Sequence, residues 1–333
     1  MKEKIRYYYV DIVKFSAVVC LFLAHVNTPS VLMEIRGFDV PTMVVLSGIL
    51  AKSSYERSNN SYEFIIRRVK RLVIPTWIFL VGFYICMFFV GQMPSYSDIF
   101  KSFLFQRDSG LAGYVWVIWI YILCALVVPF YSKIISKRNK KHILYIIITI
   151  IVIYELVCKY TLLFESRILY YTLFSIIPYG IITWLAMLYT NLNKNNKIQL
   201  IVGLLSAHLI CVVIAMLGEE GYIQLTTFKY PARFYYWSYG VPVGFLLIEL
   251  FKKLDFQLKE SNLIVFLSKH SLWIYLWHIF ALAVVKYVFK FDSWILQFCF
   301  VFGISLIITL IQIKIVSKIK KIKDVEFLKY FLC

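Results

Sequence analysis

VDIVKFSAVVCLFLAHVN, residues 10–27, is an apolar run interrupted by Asp11, Lys14 and His25. A helix turns about 100° per residue, so the path from Lys14 to His25 returns to within roughly 20° of its starting direction. Asp11 lies one turn before Lys14 on the same stripe. Ionisable side chains inside a membrane span are costly, and they face a bundle interior or a water-filled cavity and mark function. Three of them on one stripe make this span a candidate functional face.

The rest of the chain agrees with a membrane setting. Its 333 residues are 61% hydrophobic yet carry a formal charge of +18, with a mean hydropathy of +0.76. Soluble proteins do not combine these values. The hydropathy pattern predicts ten spans, at residues 10–27, 38–51, 72–90, 114–132, 143–158, 172–190, 198–217, 234–251, 263–285 and 294–316. The expected fold is an all-α, polytopic bundle forming one membrane domain over residues 1–333. The basic N-terminal MKEKIR has no small-residue cleavage site after its apolar run, so the first span reads as a retained helix.

Charge placement sets the expected orientation. With both termini in the cytoplasm, about 25 of the lysines and arginines fall on inner segments and about nine on outer ones. The positive charge then reads as topology and contact with anionic lipid or ligand, and nucleic-acid binding is unnecessary. The seven cysteines are scattered without a CxxC pair, which is neither a disulfide framework nor a zinc pattern. The bias toward isoleucine, lysine, tyrosine and asparagine suits a bacterium with an AT-rich genome.

Four further stretches carry polar chemistry. VVLSGIL, residues 44–50, places Ser47 and Gly48 where a second backbone can approach closely. RRVKRLVIP, residues 67–75, puts Arg67 and Arg71 on one helical face with Arg68 and Lys70 beside them, ahead of Pro75, which suits a bend or a helix start. Such a run follows from the positive-inside rule alone, and it also suits a phosphate-bearing ligand, because guanidinium forks match phosphate oxygens in pairs. LSKHSLWIYLWHIF, residues 267–280, sets Ser271, Tyr275 and His278 on a second polar stripe and Trp273 and Trp277 on another face. GYIQLTTFKYPARFYYWSYG, residues 221–240, surrounds Arg233 with Tyr222, Tyr230, Tyr235, Tyr236, Trp237 and Tyr239. That mixture fits a platform for sugar rings or an ordinary interfacial aromatic belt.

Taken in order, these motifs resemble the acyltransferase 3 family of bacterial membrane sugar and polysaccharide O-acyltransferases. His25 matches the histidine that ends the family's first span, and Lys14 stands where an arginine is usual. VVLSGIL matches the FxxSG-type second span. Arg67, Arg68, Arg71, Leu72 and Pro75 match an RRxxRLxxP segment. Ser271, Tyr275, Leu276 and His278 match SxxxYLxH, and YVWVIWIYILCALVVPF, residues 114–130, is similar to a tryptophan-bearing span ending in proline. In IIPYGIITWLAMLY, Trp184 stands where a small residue is usual, and the expectation is of a member without an appended esterase-like domain.

Acyl transfer to a hydroxyl needs a base, a thioester site and oxyanion stabilisation. His25 is the candidate base, with Asp11 and Lys14 about 16 Å toward the cytoplasmic end, a separation comparable to an extended pantetheine arm. The expectation is that acyl-CoA docks its phosphates on Arg67, Arg68 and Arg71, with Lys14 at the inner mouth. The resemblance implies acetyl-CoA as the usual co-substrate and, with no metal, a sugar hydroxyl of a capsular or extracellular polysaccharide as acceptor, at a multi-pass bacterial cell membrane. Ser271, Tyr275, His278 and Arg233 are the candidates for lining the acceptor side. A rival reading is an exporter of a saccharide or lipid-linked glycan, whose cavity also needs buried polar groups. Such a protein has no need of an arginine cluster paired with an intramembrane histidine.

Overall fold

A computed structural model describes residues 7–137, 139–218, 223–254, 263–322 and 326–332. The N-terminal MKEKIR and Tyr222 lie outside the described residues. Fourteen α-helices follow in chain order among them. They are α1 (Tyr8–Leu23), α2 (Ser30–Ile35), α3 (Asp39–Glu56), α4 (Ser61–Phe89), α5 (Tyr96–Phe103), α6 (Trp116–Lys137) and α7 (Lys140–Tyr160). The second half adds α8 (Arg167–Tyr171), α9 (Leu173–Tyr189), α10 (Lys194–Leu217), α11 (Phe234–Lys253), α12 (Leu263–Lys269), α13 (Ser271–Val284) and α14 (Trp294–Ile322). Helix accounts for 85% of the fold, with no strands among the described residues, as expected for a membrane bundle.

Each predicted span falls on a helix, but only seven helical stretches among the described residues are long and apolar enough to cross a bilayer. They are Ser61–Phe89, Gly110–Ser136, Lys140–Tyr160, Arg167–Tyr189, Lys194–Leu217, Ser271–Phe289 and Trp294–Ile322. The 16 residues of α1 rise about 24 Å, less than the ~30 Å hydrocarbon core. The apolar parts of α3 and α11 are shortened by terminal charges, Asp39, Lys52 and Glu56 on one and Glu249, Lys252 and Lys253 on the other. Three boundaries also differ from the sequence reading. Helix α4 runs unbroken through Pro75, so the basic run and the span behind it are one rod. The ninth span is interrupted at His270, between α12 and α13, and passes into a π-helical turn, Val285–Phe289.

The chain forms two compact units. The first comprises Met1–Pro29, Ile66–Ile122 and Gln257–Cys333, and the second Ser30–Ile65 and Leu123–Phe256. In the second unit α3 packs along α9 and α11, and small residues set the spacing. A Cβ on Gly48 would lie 2.9 Å from the Ala186 Cβ and 3.1 Å from the Thr183 carbonyl oxygen, closer than real contacts allow. Gly180 plays the same part for Tyr131, whose hydroxyl lies 2.9 Å from where a Cβ would stand. Tyr131 in turn stacks on Trp184 at 4.6 Å between centroids, so the bulky residue at that point of α9 is filled against a ring from α6.

The ion pairs Arg233–Glu155 and Arg36–Asp39 lie within this unit. Glu155 of α7 accepts from the Arg233 guanidinium at 2.8 Å and from the backbone N–H of Phe234 at 2.7 Å, so one carboxylate neutralises a cation and caps the first turn of α11. Arg36 and Asp39 form a buried pair at 2.6 Å. Helix α10 buries little beyond Ile201 and leaves Val202, Leu209, Ile210, Val213 and Ile214 exposed. An apolar surface on that scale is stable when its solvent is lipid.

Gly48→Ala inserts a methyl into the α3–α9 contact and is expected to cost about 1–3 kcal/mol through overpacking. Gly203→Ala on α10 meets nothing within 4 Å and is expected to be neutral or stabilising by up to about 1 kcal/mol through helix propensity. Thermal unfolding of the two detergent-solubilised variants against the parent protein checks the contrast.

Candidate active site

The sequence candidates of the first unit fall toward its two ends. At one, α1 stops at Leu23, two residues short of His25, so the histidine sits in the turn that follows the helix. The sequence reading placed it within a continuous helix. The turn is tied down locally by the His25 N–H on the Phe22 carbonyl at 3.1 Å and by the Thr28 hydroxyl on the Leu23 carbonyl. Gln297, 7% exposed in α14, fixes it from outside. Its Oε1 accepts from the Asn27 N–H at 3.3 Å, and its Nε2 donates to the Phe291 carbonyl at 2.6 Å.

His25 meets His278 there. The two rings are stacked, 5.0 Å between centroids and 22° apart, with His278 Nε2 3.1 Å from His25 Nδ1. His278 is wholly buried, and its Nδ1 faces the carbonyl of Tyr275. A carbonyl only accepts, so the proton of a neutral His278 sits on Nδ1 and its Nε2 carries the lone pair. His25 must then donate through Nδ1–H, which leaves the lone pair of His25 on Nε2. The chain Tyr275 C=O, His278, His25 thus sets the tautomer in which His25 takes a proton at Nε2, as the hydrogen bond on one ring nitrogen does for other functional histidines.

Aromatic walls hold the pair. The Tyr114 ring lies 4.1 Å from His25, and Phe22 lies 5.0 Å from His278. The Tyr275 hydroxyl donates to the Tyr114 carbonyl, locking α13 to the 3₁₀ turn Gly110–Val115. Tyr114 and Gln297 were missed by the sequence reading. Gln297 had a usable signal, being a lone amide in the apolar run WILQFCF, where buried amides hydrogen-bond between helices.

The other end holds most of the remaining sequence candidates. Asp11 is buried in the first turn of α1. Lys14 donates to the Ser268 carbonyl at 2.8 Å, in the last turn of α12, where helical carbonyls lack partners and a cation is favoured. Ser271 is buried at the start of α13, about 10 Å in rise from His278. Arg67 and Arg71 are exposed on α4 and Arg68 is partly covered. A short C-terminal turn, Glu326–Phe331, also belongs here. Its Tyr330 and Phe331 carbonyls accept from Trp273 Nε1 at 3.0 Å and Gln312 Nε2 at 2.9 Å. The Lys329 ammonium holds the Glu326 carboxyl below the usual range, and Lys70 of the basic run adds to that. The structure therefore brings His25, His278 and Tyr275 together, with Lys14, Asp11 and Ser271 toward the opposite end. Arg233 belongs to the second unit, paired with Glu155.

The tautomer assignment has a direct readout. ¹⁵N shifts of histidine-labelled protein in bilayers are expected to show His25 protonated at Nδ1. In His278→Phe, which removes the acceptor, that preference is expected to be lost.

Compared with known proteins, the chain matches the family model described as an acyltransferase domain over residues 7–313 of its 333. No curated protein and no solved structure matches it.

Proposed function

The chain belongs to the acyltransferase 3 family, and from that premise we propose that this membrane acyltransferase moves an acyl group, acetyl being the usual one, from cytoplasmic acyl-CoA to a hydroxyl of a cell-surface polysaccharide. The observation that carries the reading is the hydrogen bond between His278 and His25, with its chain of acceptors ending on a backbone carbonyl. It supports a general base at His25 Nε2. In the proposed reaction that nitrogen takes the acceptor's hydroxyl proton as the oxygen attacks the thioester carbonyl. The tetrahedral intermediate collapses to ester and CoA thiolate, and the thiolate takes the proton back from His25. Base and acid are one group, so the cycle closes without a net proton change.

Arg67, Arg68 and Arg71 are assigned to the CoA phosphates, since they lie at the end of the unit opposite His25 and two of them are exposed. Lys14 and Asp11 are assigned to the inner mouth, and Ser271 to the path toward His25. His278 is a positioning residue for His25, with Tyr275 supplying its carbonyl anchor. Arg233 fits the acceptor side less well, because its guanidinium is already matched by Glu155.

The test is the ester content of surface polysaccharide in a deletion strain complemented at equal protein level. Wild type is expected to restore the esters and His25→Ala to fall by about 10²–10⁴-fold, the usual worth of a general base. Restoration by His25→Ala overturns the role of His25. Loss of surface polysaccharide with normal esters on what remains overturns transfer in favour of export. In membranes, Arg67→Lys and Arg71→Lys are expected to raise the KM for acyl-CoA with kcat little changed, because a lysine keeps the charge and loses the bidentate fork.

A further inference from the structure

A second feature lies at the His25 end of the first unit. A cavity of about 260 Å³ opens among Phe83, Tyr84 and Met87 of α4, the loop Gly91–Pro94, Ser109–Ala112 and the pair Lys286–Tyr287. Its volume falls just under the ~300–1,000 Å³ of pockets for drug-sized ligands, which suits a single ring and excludes a whole acyl-CoA. Three irregular pieces of backbone converge on it. Gly91 and Gly110 both hold positive φ, 70° and 62°, and a Cβ on either would meet nothing within 4 Å. Lys286 and Tyr287 stand on the π-helical turn after α13, closed by the Lys290 N–H on the Val285 carbonyl at 2.7 Å. Single π turns of this kind occur disproportionately at functional sites.

The cavity shares two elements with the histidine pair. The 3₁₀ turn that supplies Gly110, Leu111 and Ala112 to its wall carries Tyr114 against His25. The helix that holds His278 continues into the turn bearing Lys286, about 12 Å further along in rise. Lys286 is the one charged side chain among the lining residues, and its ammonium lies 5.3 Å from the Tyr287 ring centroid. Asp98, which acts on Tyr84 from α5, is matched by the Ser95 hydroxyl at 2.8 Å and Lys101 at 3.3 Å. The lining therefore offers aromatic faces, the Gln92 amide and an ammonium, the chemistry that takes a sugar ring bearing an anion.

We propose that this cavity is the acceptor subsite and that it selects a sugar unit carrying a carboxylate or phosphate, which Lys286 holds while the adjoining hydroxyl faces His25. The assignment rests on the acyl-transfer reading above. Its test is binding, measured by saturation-transfer NMR titration of the purified full chain in a non-glycosidic detergent. The probes are methyl glucuronide, its neutral counterpart methyl glucoside, and inorganic phosphate as competitor. Methyl glucuronide is expected to bind more tightly than the glucoside. Lys286→Gln is expected to weaken the glucuronide about tenfold, the worth of one charge-assisted hydrogen bond, and to leave the glucoside unchanged. Lys286→Arg, which keeps the charge, is expected to stay near wild type. Unchanged glucuronide binding in Lys286→Gln, equal weakening of both sugars, or no saturable binding to wild type overturns the proposal. Displacement by equimolar phosphate overturns it too, because the site would then read a bare anion or a lipid phosphate. These outcomes separate from the ester assay. Esters that depend on His25 without a Lys286 effect on binding remove the subsite alone, whereas charge-selective binding with surface polysaccharide lost and normal esters on what remains removes the transferase reading.

Discussion

In an apolar surrounding no polar atom can fall back on water, and each unmatched donor or acceptor costs several times what a made hydrogen bond contributes. The architecture follows from meeting that constraint with backbone groups. His278, wholly buried, is satisfied by the Tyr275 carbonyl on one side and His25 on the other. The Tyr275 hydroxyl takes the Tyr114 carbonyl, and Gln297 joins the turn after His25 to the turn before α14. Removing one of these contacts orphans a second group. The turn holding His25 is thus fixed from three elements although it lies outside any helix. In the second unit, Glu155 meets the same constraint by serving Arg233 and the first turn of α11 at once.

Much of this was legible in the sequence, because membrane helices advertise themselves through runs of apolar residues and their few polar interruptions. His25, Lys14, Asp11, Tyr275 and His278 all stand out for that reason. Their assembly was not legible. His25 and His278 are 253 residues apart, and periodicity within one segment says nothing about its neighbour. Helix ends were the other gap. Proline is a poor guide here, since Pro75, Pro129, Pro178 and Pro242 all lie inside helices, where lipid offers the freed carbonyls no better alternative. The interruptions at His270 and in the π turn at Val285–Phe289 carry no glycine or proline to announce them, and the one after Leu23 has its proline, Pro29, only at its far end.

Two departures from the family pattern make physical sense in place. Lys14 donates to the Ser268 carbonyl, a contact that one ammonium donor makes as well as a planar fork. Trp184 is covered by Tyr131, and Gly180 one turn earlier leaves room for the Tyr131 hydroxyl. The large side chain on α9 therefore needs a small one beside it. Size has been redistributed along the helix, not added to it.

The choice of a histidine to orient a histidine follows from the same economy of charge. Where a catalytic imidazole works in a water-lined cleft, a buried carboxylate can orient it and stabilise its protonated form. Between membrane helices a lone carboxylate beside a neutral imidazole would be a buried charge without a partner for most of the cycle, at a cost of several kcal/mol. A neutral imidazole anchored on a carbonyl gives the same tautomer and orientation with no standing charge. In the proposed reaction, positive charge on the pair exists only while the oxyanion it balances exists. In that reaction the two charges appear and vanish together.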